Sequence, residues 1–511
     1  MSSTKNLARS TFWVTISEII FNVSGFIIHS IVGRMLGPSD YGRYGIVITL
    51  TTMIIILIGN GIPTAMSKYL SEVFETNPPM VRVIKKQAII LQTIIIAVIT
   101  FLFYLSTPLI GIILHDQTIV PLFQISTWII PTFAMASFYF SYYTGLHEFN
   151  IQSLLKTLRS IFKIVFIIGL AYLYKVPGSI NGYTISTLVL FAAGAWIDKF
   201  IVAKKLDSRE KELHLENTNP VFEWRKLVDY AWQIIIFFLA YELLISIDLY
   251  LVKGILQDDH LTGLYNASLT LGRMPYYIFY ALTVVLLPVI SKTTSANDHE
   301  KTTEIISQSL RLMMILLIPS IILMSIYARP LIKIFYGQKY IDAAAPMSIL
   351  VWGVGFLTIF YVFCFIMSGA GKVRIPMVLS MIGLIINTIL NYVLIKKFGI
   401  MGSATATSIT SAIITFLMLY YVAKDFGVVM SLKSLLKMSL AGAVMYAASF
   451  LFNRGEFVFM LWSVILFIFY LLILYFLREI KKADVDIIRQ LVARKEVAEI
   501  EEEFSGNEPS A

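Results

Sequence analysis

Charge is scarce in this chain: 14% of its 511 residues are Asp, Glu, Lys or Arg and 57% are hydrophobic, where a soluble globular chain is roughly a quarter charged. A soluble fold has no interior large enough for that apolar surface. Cysteine is nearly absent; the single Cys364 lies inside an apolar run, which rules out an intramolecular disulfide and reads as a small buried hydrophobe. No G-x-x-x-x-G-K-[ST] occurs, no His or Cys cluster has metal-ligand spacing, and no Ser, His and Asp set is recognisable, so ATP binding by a P-loop, a resident metal and hydrolytic chemistry have nothing to rest on. The alternating segments of about ten residues that build a membrane barrel are missing as well. The net charge of +9 belongs to connections between apolar runs and is no nucleic-acid footprint. MSSTKNLARS is polar and the apolar run behind it is full length, so a retained first helix is expected rather than a cleaved signal.

What the sequence has is long apolar runs. IVITLTTMIIILIGNGI (46–62), AIILQTIIIAVITFLFYL (88–105) and FMLWSVILFIFYLLILYFL (459–477) are each near the ~20 residues that cross a bilayer core as helix. The expected fold is an all-α polytopic membrane protein with fourteen spans, at approximately 11–33, 45–70, 86–112, 118–144, 153–174, 179–203, 228–254, 262–290, 305–328, 343–368, 374–395, 400–423, 434–452 and 457–477. With the N-terminus inside, about thirty Lys and Arg fall on the cytoplasmic side and about ten outside, the asymmetry that cytoplasmic loops carry. Both termini are therefore expected in the cytoplasm, in the plasma membrane of a prokaryote.

The sequence also repeats itself. IIHSIVGRMLGPSDYGRYGIVITL (27–50) lines up with SIDLYLVKGILQDDHLTGLYNASLTL (246–271), and YKVPGSINGYTISTLV (174–189) with KKFGIMGSATATSITS (396–411). An offset of roughly 220 residues with an even number of spans per copy gives two six-helix lobes of the same orientation, related by a pseudo-twofold along the membrane normal. The expected organisation is an N-terminal lobe (1–205), a cytoplasmic linker (206–226), a C-terminal lobe (227–424), two added spans without counterpart (425–478) and a cytoplasmic tail (479–511) whose Val485, Ile488, Leu491 and Val492 have helical spacing.

On these features, with the G-R-x-L-G-x-x-x-Y-G segment after span one and the Gly-x-Tyr-Asn-Ala of GLYNASLTL opening span eight, the chain resembles the polysaccharide transporter (oligosaccharide, O-antigen flippase-like) branch of the multidrug/oligosaccharidyl-lipid/polysaccharide exporter superfamily, to which the lipid II flippase is related. The resemblance covers nearly the whole chain. It implies a flippase, not an enzyme, that moves an undecaprenyl- or dolichyl-linked oligosaccharide to the outer leaflet through a V-shaped cavity of alternating access. It further implies no cofactor, an H+ or Na+ gradient as candidate driving force, and membrane lipids with a glycan polymerase or glycosyltransferases as neighbours.

A lipid-linked sugar carries phosphate, and a carrier needs donors at a depth where each charge costs at least ~2.5 kcal/mol. Arg273 is the foremost candidate: Asn266, Thr270, Arg273 and Tyr277 share one helical face, and Pro275 frees the carbonyl of Leu271 and kinks the helix. Glu18, Asn22, Gly25 and His29 repeat that pattern in span one, which makes Glu18 and His29 candidate coupling or counter-charge groups. Glu242 and Asp248 in span seven are six residues apart and so on different faces; either suits as partner to Arg273. In ILIGNGIPTAMSKYLSEV, Gly59, Gly61 and Pro63 weaken span two, with Asn60, Thr64 and Lys68 on one face, where Lys68 is either a second phosphate cation or a snorkelling anchor. Arg34 and Arg43 flank the outer turn and divide between headgroup anchoring and phosphate contact. Asn387 and Asn391, one turn apart, read as interhelical hydrogen-bonding groups before cavity lining; Tyr139, Tyr142 and Tyr143 as belt anchors before sugar stacking.

Three functions compete. The lipid-linked oligosaccharide flippase leads, with the lipid II flippase beside it. A cation-coupled multidrug exporter of the same superfamily would need acidic, aromatic pockets and only twelve spans. A membrane glycosyltransferase would need an external domain that no loop here is long enough to supply.

Overall fold

The structure, a computed structural model, describes residues 2–213, 220–277, 279, 290, 294, 299–427, 430–451 and 458–480. Among these every regular element is helical. In chain order the helices are α1 (Ser2–Asn60), α2 (Ile62–Val73), α3 (Pro78–Ile113), α4 (Val120–Ser126), α5 (Ile129–Gly145), α6 (Phe149–Ile197), α7 (Ala203–Glu212), α8 (Arg225–Leu256), α9 (Asp259–Gly272), α10 (His299–Ile326), α11 (Ala328–Tyr336), α12 (Ala344–Gly369), α13 (Arg374–Phe426), α14 (Leu432–Ser449) and α15 (Val458–Phe476). The described helices are compatible with fourteen spans, because three of them hold two spans each, folded at one residue. The turns sit at Gly37 in α1 (φ 78°), Lys175 in α6 (φ 52°) and Gly399 in α13 (φ 57°). Pro38, directly after Gly37, cannot donate back into the first arm, and the left-handed glycine before it lets the chain reverse.

By contacts the chain divides into two compact units: Thr11–Asn266, and Ala267–Ala511 with Met1–Ser10. The halves of the repeat and the contact units differ, for α8 and the first eight residues of α9 pack with the first unit.

Within the first unit the turns alternate between two ends, as spanning helices require. At one end Arg43, Asp116, Lys253 and Asp259 meet, bringing together the turns after spans one, three and seven. At the other, Arg82 pairs with Asp207 and Glu210, Lys205 with Glu148, and Phe74 packs at a tilt against His147. Between the ends, α3 exposes Ile90, Ile94, Val98, Phe101, Leu105 and Leu109, a lipid-facing stripe at helical spacing. Starts of helices are encoded locally: Asn77 accepts from Met80 N ahead of Pro78 and Pro79, and Ser431 accepts from Ser434 N, each satisfying an orphan N–H.

In the second unit the two arms of α13 are pinned by a polar knot. The Asn391 amide donates to Asn387 Oδ1 (2.8 Å) and the Ser403 hydroxyl to Asn391 Oδ1 (2.6 Å), all three side chains buried. Added helices α14 and α15 pack on α10 and α11 through Met438, Met445, Tyr470, Ile315, Ile322 and Tyr327. Glu479 closes that assembly: Arg311 donates to its carbonyl (3.2 Å), and Ser434 and Lys437 reach its carboxylate. The tail beyond Ile480 lies outside the described residues.

Candidate functional site

The first arm of α6 places Lys156, Arg159 and Lys163 on one face, three and four residues apart. All three cations turn to the ring of Phe21 on α1, at 5.7, 4.8 and 5.6 Å from its centroid. Arg159 lies in addition 4.3 Å from Phe133 and 5.7 Å from Phe140, both on α5. Lys163 sits 4.3 Å from the centre of Tyr183 on the returning arm of α6. That return is sterically exacting: a Cβ on Gly178 would come within 2.9 Å of Tyr174 Cβ, and one on Gly182 within 2.6 Å of Ile167 Cα. Bare glycines let the arms touch, and the contact carries Tyr183 onto Lys163.

For Lys163 the aromatic faces offset only part of the cost of placing a charge in an apolar span. An aromatic face is worth about 0.5–2 kcal/mol to a cation, against an insertion cost of about 2.5–3.5 kcal/mol per charge at mid-helix depth. Among the described residues no carboxylate stands within ion-pair distance of Lys163. Three cations of one helical face thus converge on the Phe21 ring, a chemistry that can hold an anion with a flat apolar face alongside. Next to it, His29 shares a hydrogen bond of 2.9 Å with the Tyr41 hydroxyl and packs against Tyr41 and Tyr44.

The residues singled out from sequence fall in several places. Arg273 follows the last residue of α9, half-buried at a break in the helix, its N–H donating to Leu269 O (3.1 Å) before the helix resumes. That break is the one Pro275 implies. Thr270 is half-buried, Tyr277 exposed and edge-on to Tyr276; Asn266, buried, belongs by contacts to the first unit. Asp248 is buried and accepts from the Tyr265 hydroxyl (2.9 Å) and Leu249 N, while Glu242 is half-buried on another face of α8. Asn22 is half-buried, and the side chain of Glu18 lies outside the described residues. Span two is broken where its glycines fall: α1 stops at half-buried Asn60, Gly61 is the junction and Pro63 opens α2. Lys68 is exposed, its ammonium over Tyr230 (4.5 Å) and Tyr69 (5.0 Å). Arg34 is exposed. Arg43 Nε donates to Asp259, at 2.6 Å. Tyr139, Tyr142 and Tyr143 are buried, with Lys85 over Tyr142 (4.4 Å) and Tyr143 donating to Gly194 O.

Lys156, Arg159 and Lys163 are the residues the sequence reading passed over. The signal was present, three basic residues on one face of an apolar span, but span five begins with a basic turn and the run was absorbed into its cytoplasmic flank.

Electrostatics outside the spans concentrate at the Arg43 end. Burial pushes the Asp116 carboxyl up, but hydrogen bonds from Lys253 and Thr118 outweigh it and leave the group below the usual carboxylate value. The hydrogen bond that Arg43 donates to Asp259 raises its guanidinium further above the ordinary range.

A family model described as polysaccharide biosynthesis protein matches residues 7–294, more than half of the chain. The chain belongs to that family. A second model, MatE, matches residues 234–393 of this polysaccharide biosynthesis family member. Among curated relatives, the lipid II flippase MurJ of Bacillus subtilis (strain 168) is 22% identical over 451 residues, covering 79% of this chain and 80% of that one. The probable low-salt glycan biosynthesis flippase Agl15 of Haloferax volcanii is 23% identical over 170 residues, 33% of this chain and 36% of that one. In fold, this family member superposes on the lipid II flippase MurJ in an inward closed conformation with a TM-score of 0.73 at 18% identity, across 91% of this chain and 99% of the other.

Proposed function

We propose that this protein flips a polyprenyl phosphate- or diphosphate-linked oligosaccharide from the cytoplasmic to the outer leaflet, by alternating access of two six-span lobes, for surface glycan assembly. The observation that carries the reading is the cluster of Lys156, Arg159 and Lys163 around Phe21 and Tyr183. Cations inside a span suit a phosphate group, and flat aromatic faces suit the first sugar. Arg273 is a second cation for the phosphate, with Lys68 and Arg34 as entry and exit contacts. Glu18, His29, Glu242 and Asp248 are the candidate groups for coupling to an H+ or Na+ gradient. In the second unit an apolar cavity of about 580 Å³, lined by Leu317, Ile321, Phe356, Leu435 and Tyr446 among others, suits part of a prenyl chain. Both termini are assigned to the cytoplasm, and the glycan polymerase or glycosyltransferases are the expected neighbours.

The test is translocation of a fluorescent polyprenyl-diphosphate oligosaccharide in reconstituted vesicles. Wild type should move it; an Arg159→Ala protein that moves it at the wild-type rate would remove the cluster from the mechanism. The peptidoglycan precursor is the second reading, favoured by the likeness along 79% of this chain to the Bacillus lipid II flippase. Lipid II and a lipid-linked oligosaccharide in the same vesicles separate the two. A cationic drug is disfavoured by charge: the cluster repels what such an exporter must hold.

A further inference from the structure

The last turns of span six are not α-helical. Between α6 and α7, Asp198–Val202 form a π turn, closed by the Ala203 N–H on the Asp198 carbonyl five residues back. A π turn holds one residue more than an α turn and recurs at functional sites. Its inward face is fixed by packing: Asp198 pairs with Lys85 of α3, whose ammonium lies over the Tyr142 ring (4.4 Å), and Val202 and Leu206 are buried in the same core. The extra residue is therefore felt on the outward face. Residues five apart on an α-helix point about 140° away from each other, whereas across a π turn they return to one side, because the backbone bond itself runs from i to i+5. Lys199 and Lys204 are five apart and both exposed, so the π turn stacks two ammonium groups that an α-helix would separate.

Among the described residues neither ammonium has a carboxylate within ion-pair distance. The neighbouring acids are taken: Asp198 by Lys85, Asp207 and Glu210 by Arg82, and Glu148 by Lys205. Around the two lysines lie large apolar groups that the protein leaves uncovered. Trp196, Phe200 and Ile201 are 57%, 45% and 48% exposed, the Trp196 and Phe200 rings stand 5.4 Å apart, and Lys199 reaches 5.6 Å from the Phe200 centroid. A soluble anion would use the lysines and leave the rings in water. A bilayer lipid uses both, its glycerol and first methylenes against the rings and its headgroup phosphate on the paired lysines. Two like charges on one helix face repel, so a bound phosphate stabilises the turn that gathers them.

We propose that this π turn is a binding site for an anionic glycerophospholipid of the bilayer, whose headgroup phosphate sits between Lys199 and Lys204 with Trp196 and Phe200 packed beside its glycerol. The site lies at the end of the first unit that carries Arg82 and Lys205. It uses none of the residues assigned to the carried lipid, and so does not rest on the flippase reading.

The experiment reconstitutes the full chain in phosphatidylcholine vesicles doped with brominated phosphatidylglycerol and reads quenching of Trp196, obtained as the emission lost in Trp196→Phe. Brominated phosphatidylglycerol should quench Trp196 at a mole fraction roughly 25-fold below that needed with brominated phosphatidylcholine, about fivefold for each lysine. Lys199→Gln and Lys204→Gln should each remove about fivefold of that preference. The deciding variant is Ala203→Lys with Lys204→Ala, which keeps the net charge and moves one ammonium a single residue off the shared face. It should lose as much as Lys204→Gln. Equal quenching by the two brominated lipids in the wild type, or an unchanged preference in the exchange variant, would overturn the site and leave ordinary surface attraction. Displacement of the brominated lipid by inorganic pyrophosphate would overturn the lipid occupant, and displacement by an equimolar polyprenyl diphosphate would make the turn a landing place for the carried lipid instead. A protein that flips nothing but keeps the preference would support the site and sink the flippase reading alone.

Discussion

Lys163→Met separates a binding cation from a structural one, because it should move stability and transport in opposite directions. The ammonium sits in the apolar arm of α6 with the Tyr183 ring 4.3 Å away and the Phe21 ring 5.6 Å away. A charge at that depth costs about 2.5–3.5 kcal/mol, and the rings return about 0.5–2 kcal/mol. Methionine fills nearly the same volume without charge, so thermal unfolding in detergent should show the variant more stable by about 1–2 kcal/mol. Transport should go the other way. One charge-assisted hydrogen bond to a phosphate is worth about 1.5–3 kcal/mol, and its loss should weaken binding of a polyprenyl diphosphate roughly 10- to 100-fold. The assay pair is a melting curve and a titration with the diphosphate lipid on the same preparation. A less stable protein that binds the lipid as wild type does would show that Lys163 holds the helices together, and the anion site would have to be sought elsewhere.

Arg273→Ala should slow translocation without altering the melting curve of the first unit's ion pairs; wild-type flipping would leave Arg273 a structural residue of the α9 break. Because the Asp116 carboxyl is depressed by Lys253 and Thr118, its stabilisation is complete above the ordinary carboxylate value and lost as pH falls through the lower folded value. Melting temperature should therefore decline at acid pH below about 4, and Asp116→Asn should flatten that decline; an unchanged acid limb would refute the coupling. Gly178→Leu and Gly402→Leu should each destabilise by several kcal/mol, since any Cβ there strikes the carbonyl of Leu170 or Leu394 and the helix arms must part. Gly169→Ala, which meets nothing within 4 Å, should gain up to about 1 kcal/mol; thermal unfolding of the three variants checks the contrast.

Much of the architecture was legible because lipid imposes few solutions. Apolar runs near span length and Gly-Pro interruptions identified helices and the break at Gly61 and Pro63. The register of the repeat was less legible. Aligning 174–189 with 396–411 pairs Tyr174 with Lys396, yet the structure turns α6 at Lys175 and α13 at Gly399 and presses Gly178 and Gly402 on the carbonyls of Leu170 and Leu394. The equivalent residues are thus 224 apart, two more than the letters suggest, because the turn geometry is preserved and the turn residue is not. The charges were least legible. Arg43 reads as a surface anchor until Asp259, 216 residues later, is seen beside it, and no local pattern carries a partner at that distance.

The corrected register separates what the repeat is for from what the site is for. Moved by 224 residues, Lys156, Arg159 and Lys163 fall on Ser380, Gly383 and Asn387, and Tyr183 on Thr407. The first copy therefore holds three cations where the second holds a hydroxyl, a glycine and an amide that bonds its own neighbour Asn391. Glycine-mediated folding of the arms is common to both copies, so it serves the architecture; the charge is confined to one, so no symmetric packing need explains it. A structural cation would be expected wherever the same helices meet, at both copies of the contact. An anion carrier needs only one such cradle, since a second would compete for the same phosphate and hold it at two places along the path. The departure from symmetry is accordingly the strongest argument that Lys156, Arg159 and Lys163 serve a ligand. Writing the three cations into the second copy, as Ser380→Lys, Gly383→Arg and Asn387→Lys, should trap the diphosphate lipid and slow its release, read as tighter binding with slower flipping. Faster flipping from that variant would show that charge at this depth drives passage rather than holding the substrate.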